Sequence, residues 1–169
     1  MSRQEFLNLF LDELRDIYDA ERQILQTLPK FIEASTSSDL KEAFQNHLKE
    51  TREHVTRLDR IFQILNESSH GEICEAMQGL LKEGEEIIQN FPKSPTRDAG
   101  IISAVQRVEH YEMAVYGTLR TFAKELDLDE VADLLQDTLD EEGSTNKVLI
   151  KIAQGGLFTA GINEKARSR

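Results

Sequence analysis

Cysteine is almost missing from this chain. Cys74 is alone among 169 residues, which excludes an intramolecular disulfide and any Cys-x-x-Cys metal or redox motif. Proline and glycine are scarce too, at three and nine. With 39% hydrophobic and 30% charged residues, that scarcity points to a helical globular chain rather than a β-fold or a disordered one. Alternation of period two never extends over a useful length, so strands are not expected. No apolar run approaches bilayer-spanning length, and the opening "MSRQEFLNLFLDEL" carries charges throughout, unlike a secretory signal. A cytoplasmic protein without a membrane partner is the expectation. Basic residues number 20 against 31 acidic ones, and the net charge of −11 argues against unaided nucleic-acid binding. The length suits one domain with a proper core, over residues 1–169.

What the chain does have is helical periodicity. Ser2-Arg3-Gln4-Glu5 has the form of a capping box, and apolar spacing follows it to about Ala34. Pro29 falls inside that run and should kink it or loosen one turn. "STSSD" (35–39) offers N-caps for a second long helix over about 39–65, which "NESSHG" breaks. A shorter amphipathic helix over about 73–91 serves as a connector. "FPKSPT" and "DLD" then introduce long helices over about 97–126 and 129–154. The tail, 155–169, reads as a loosely packed terminus. Four long helices, two short loops and one long connection give an all-α, ferritin-like four-helix bundle with a fifth short helix in its crossover.

Several polar residues stand on the apolar stripes. At about 100° per residue, Phe10, Leu14, Ile17, Leu25 and Leu28 lie within about 40° of Glu21. Glu112 is centred in the same way among Ile101, Val105, Val108, Tyr116, Leu119, Ala123 and Leu126. Glu142 is centred among Val131, Leu135, Thr138, Leu149 and Ala153, whereas its neighbour Glu141 projects sideways. On the second helix His47 and His54 are central, Glu50 lies at the stripe's edge and Glu53 points away. Each long helix thus carries a ligand-type residue on or beside its buried face.

Spacing suggests two related hairpins. Glu21 to Glu50 is 29 residues (50 − 21) and Glu112 to Glu142 is 30 (142 − 112). His54 follows Glu50 at i+4, and Asn146 follows Glu142 at i+4. A pseudo-twofold of that kind brings Glu21, Glu50, Glu112 and Glu142 to similar depth. Four carboxylates cannot share a dry core as anions without a cation. Two divalent ions supply about the right charge, and oxygen-rich ligands with a little imidazole suit iron or manganese. A single core Glu is more often protonated or paired with Arg, but three centred carboxylates favour a metal. His47 lies about two turns from His54, too far for one compact cluster, and reads as a packing residue or an outer partner of the site. Tyr18 and Tyr116 read as core tyrosines, Cys74 as a small packing residue and His110 as a surface residue.

"YDAERQIL", "AFQNHLKETREHV", "CEAMQGLLKEGEEII", "VQRVEHYEMAVYGT" and "LLQDTLDEE" resemble the YciE/YciF family of bacterial ferritin-like proteins over nearly the whole chain, to about Ala153. The resemblance implies a rubrerythrin-like bundle, a link to stress responses, homodimerisation and no established enzymatic activity. Carried over by position, it implies metal ligands at Glu21, Glu50, His54, Glu109, Glu112 and Glu142. Two positions depart from the di-iron pattern: the Glu50–His54 pair is spaced i+4 rather than i+3, and Asn146 stands where a rubrerythrin-like protein has histidine. The cysteine-ligated iron domain of true rubrerythrins has no counterpart in the chain, so redox turnover would call on an external electron donor. The leading expectation is a stress-response protein whose two iron or manganese ions react with peroxide or oxygen. Its rival is a non-enzymatic stress or scaffold protein with structural metal or none, and iron storage stands third.

Overall fold

The computed structural model describes residues 3–71, 73–157 and 159–168. Ser2 of the capping box and Phe158 of the tail therefore lie outside the described residues. Among those described, the elements are α1 (Arg3–Ala34), α2 (Ser38–Leu65), α3 (Glu75–Asn90), α4 (Pro95–Glu125), α5 (Asp129–Gln154), β1 (Gly155–Gly156), β2 (Thr159–Ala160) and α6 (Ile162–Arg167).

Local chemistry sets the helix ends. Ser37 starts α2 by accepting a hydrogen bond from the Leu40 N–H, and Asn66 stops it in the left-handed region at φ 53°. Ser94 accepts from the Arg97 N–H, and Pro95 opens α4, where its missing N–H costs nothing. α1 continues through Pro29, which is exposed. The buried Asp98 carboxylate accepts from Thr36 N, Thr36 Oγ1 and Ser37 N, tying the first turn of α4 to the α1–α2 corner.

α1 pairs with α2 and α4 with α5, while α2 faces α5 and α1 faces α4, closing a four-helix bundle. α3, the crossover helix, packs outside on α4 and α1. Phe10, Leu14, Phe44, Leu58, Ile101, Leu119, Leu135 and Leu149 fill the interior. A polar layer crosses it: Glu21, His47, Thr51, His54, Glu109, Glu112 and Glu142 are all buried.

The tail departs from expectation. It is not loose: β1 and β2 form an antiparallel hairpin, and α6 packs on α4 and α5 with Ile162 buried. The reversal depends on two glycines. Gly155 has φ +79°, and a Cβ on Gly161 would stand 2.3 Å from the carbonyl carbon of Gln154. Burial of Ile162 stabilises the turn-back by roughly 1.5–3 kcal/mol.

Candidate metal centre

Each long helix delivers acidic or imidazole side chains to the polar layer: Glu21 from α1, His47 and His54 from α2, Glu109 and Glu112 from α4, and Glu142 from α5. They fall into two groups that share Glu142. Glu21, His54 and Glu142 form one; His47, Glu109, Glu112 and Glu142 form the other. Within each group one ligand atom per residue lies within 4.8 Å of all the others.

The short approaches lack hydrogen-bond geometry, and with a protonated ring they are ion pairs. His54 Nδ1 stands 2.9 Å from Glu142 Oε1 and 3.3 Å from Glu21 Oε1, and His47 Nε2 stands 3.2 Å from Glu109 Oε1. Yet His54 Nδ1, both nitrogens of His47, Glu21 Oε2 and both oxygens of Glu109, Glu112 and Glu142 have no hydrogen-bond partner. Buried polar atoms are ordinarily satisfied, and each one left unmade costs about 1–3 kcal/mol. Ligand atoms gathered within 4.8 Å and left without hydrogen-bond partners have room for a cation between them once their protons leave. That is the geometry of a donor set, and the residue types fit divalent cations.

Neighbours fix how the donors present themselves. Tyr116 donates to Glu21 Oε1 at 2.5 Å, leaving Oε2 free. His54 Nε2 lies 2.9 Å from Glu141 Oε2, whose carboxylate also takes both terminal nitrogens of Arg57. Arg57 is held in turn by donating to Thr138 Oγ1. With Nε2–H directed at Glu141, a neutral His54 ring keeps its Nδ1 lone pair for the cluster.

The ionisation pattern is that of acids crowded in a dry site. Burial, then repulsion from Glu142, pushes the Glu109 carboxyl well up; burial and the Glu142 and Glu21 charges do the same to Glu112. Burial also pushes Glu142 up, but His54 and His47 outweigh it and hold that carboxyl below its ordinary value. Burial disfavours the charged ring of His54, yet Glu21, Glu141 and Glu142 together raise it to about 12. Glu141 is held down at about 2, chiefly by His54 and, against its partial burial, by Arg57. The raised values of Glu109, Glu112 and His54 favour protons where a cation would otherwise neutralise the charge.

Of the residues singled out from sequence, Glu21, His54, Glu109, Glu112 and Glu142 come together. Glu50 does not: its half-buried side chain lies aside, accepting from Thr145 Oγ1 at 3.1 Å. His47, expected to pack or to stand outside the site, joins the second group. The two-turn separation forbids one shared group but not two neighbouring groups that both include Glu142. Asn146 turns to Gln106 instead of the cluster, and Tyr18 donates to Asp59. Glu141, which the helical projection sends sideways, reaches the outer nitrogen of His54 because α2 packs on that side. The sequence carries a signal for this pairing: Glu21 and His54 are 33 residues apart (54 − 21), and so are Glu109 and Glu142 (142 − 109). That register, rather than 29 against 30, is the one that matches spatial neighbours.

Comparison with known proteins agrees with the bundle. Protein YciF of Escherichia coli (strain K12) is 37% identical across 100% of this chain and 99% of its own length. The solved structure of that E. coli stress protein superposes with a TM-score of 0.84 at 39% identity, covering 86% of this chain and 92% of that one. YcfI from Rhodopseudomonas palustris superposes with a TM-score of 0.86 at 41% identity, over 90% and 99% of the two chains. A Xanthomonas campestris protein shares the fold at 20% identity, with a TM-score of 0.67. The family model described as a domain of unknown function, DUF892, matches residues 5–166, and the chain belongs to that family as a relative of YciF.

Proposed function

We propose that this protein is a stress-response protein whose buried Glu21, His47, His54, Glu109, Glu112 and Glu142 would hold two divalent iron or manganese ions, which would supply chemistry towards peroxide or oxygen. The observation that carries the reading is that Glu21, His54 and Glu142, and likewise His47, Glu109, Glu112 and Glu142, each bring one ligand atom within 4.8 Å of the others, while ten of their buried nitrogen and oxygen atoms have no hydrogen-bond partner. A bound pair of such ions supplies electron transfer to an oxidant. The protein's own part is to hold four carboxylates and two imidazoles in fixed positions, exclude bulk water and keep Tyr116 O–H directed at Glu21. Re-reduction would draw on an external donor.

Metal content decides the matter. Protein expressed in iron- or manganese-supplemented medium should carry close to two ions per chain. Glu112→Gln keeps the size of the side chain and removes the anion, so occupancy should fall sharply. Metal-free stability should hold or rise, because Gln removes a carboxyl whose charge is opposed by burial and by Glu142 and Glu21. Wild-type protein without metal from both media would overturn the proposal, as would an unchanged metal content in Glu112→Gln.

A further inference from the structure

The donor atoms of the cluster are sealed inside the bundle, with no ligand-type residue more than 1% exposed. An ion has to cross the helix wall to reach them. The seam between α2 and α5 carries two partly exposed carboxylates at the depth of the cluster, Glu50 and Glu141, and they differ in how firmly they are held. Glu141 is fixed by Arg57 and His54 through charge-assisted bonds. Glu50 has one partner, the neutral hydroxyl of Thr145.

Position makes Glu50 the more useful of the two. It lies on the same face of α2 as His47 and His54, three residues after the first and four before the second. Thr145, where its carboxylate rests, follows Glu142 at i+3 on α5, about 5 Å along the axis from the carboxylate both groups share. The Glu50 carboxylate is thus half-buried on the wall of the bundle, beside the helix turn that carries Glu142. Resting on the metal reading above, we infer that Glu50 is the capture carboxylate of an entry port between α2 and α5. It binds an incoming divalent cation at the surface, passes it to the His47, Glu109, Glu112 and Glu142 group, and then returns to Thr145.

A port residue that does not ligate in the resting state lowers one barrier seen from both sides. Entry and exit must therefore change by the same factor while the equilibrium constant stays put. Manganous ion serves as the probe, with free ion followed in stopped flow by a competing fluorescent chelator. Glu50→Gln should load about tenfold more slowly and release to chelator about tenfold more slowly, at unchanged stoichiometry and Kd. Glu33→Gln, an exposed acid near the far end of α1, removes the same charge elsewhere and should load at the wild-type rate. If wild-type protein takes up no ion, the metal reading fails and takes the port with it. If wild type loads and Glu50→Gln matches it in both directions, or Glu33→Gln slows as much, the port alone is overturned. A weaker Kd in Glu50→Gln overturns it differently, by making Glu50 a resident ligand.

Discussion

Glu141 sets the behaviour of the site at the residue scale, because it is the cluster's charged link to solvent. Its carboxyl is held at about 2 by His54 and Arg57, so the folded state binds its proton more weakly than the unfolded chain does. The stability this contributes is present above the ordinary carboxylate range, about 4.5, and is lost as pH falls towards 2. Metal-free Glu141→Gln should then be less stable than wild type at pH 6, with the two converging near pH 2, as measured by denaturant unfolding at each pH. Partial exposure of Glu141 keeps the difference small. Glu109 and Glu112 act in the opposite sense: their raised values make the metal-free fold more stable as pH falls from neutrality through the range where they take up protons. A wild-type curve that falls steadily from pH 7 to pH 5 would contradict that assignment.

At the scale of elements, helical period fixes azimuth well and depth poorly. Glu21, Glu112 and Glu142 were legible as inward-facing because i, i+3, i+4 spacing sets which way a side chain points. The choice between Glu50 and His47 was not, since it depends on how far α2 slides along α1 and α5, which helical period does not encode. Glu141 was hidden for a related reason: a stripe drawn for one helix ignores the neighbour that closes over its flank. The tail was illegible because its closure is a non-local approach of two backbones, Gly155 against Gly161, with no periodicity to announce it. This gives a test. Gly161→Ala should destabilise the protein by about 1–3 kcal/mol through overpacking against Gln154 and Ala153. Gly79→Ala, where an added Cβ meets nothing within 4 Å, should be neutral or mildly stabilising. Equal melting temperatures for the two variants would show that the tail is not held as described.

For the whole molecule, the exterior raises a question about copy number. α3 lies outside the four-helix bundle, Ile73 just before it is 64% exposed and Phe91 just after it 45%, while Leu157 in the tail is 90% exposed. Apolar side chains of that size, left in water at both ends of one outer helix, are the material of an isologous interface. The protein is expected to be a homodimer. Light scattering at high micromolar concentration should return twice the 19.3 kDa chain mass, and a monomer mass there would refute it.

The same molecule should release protons when it takes up metal. Without metal, Glu109, Glu112 and His54 are the groups whose environments favour their protonated forms, the last with its value raised to about 12. Binding needs carboxylates and a neutral ring, so these protons must leave as the ions enter. His54 contributes to the release across the neutral range, and Glu109 and Glu112 add to it in the range where their raised values keep them protonated. Apparent affinity therefore rises with pH across the neutral range and collapses on acidification, which should empty the site without unfolding the bundle. Calorimetric titration of metal-free protein with manganous ion, in buffers of different ionisation enthalpy, reads the proton count from the slope of heat against buffer enthalpy. Glu112→Gln should lower that count, since its amide has no proton to give up. A slope of zero in wild type, with tight binding, would mean that the acids of this cluster are already ionised in the free protein, and that burial and mutual repulsion do not govern them.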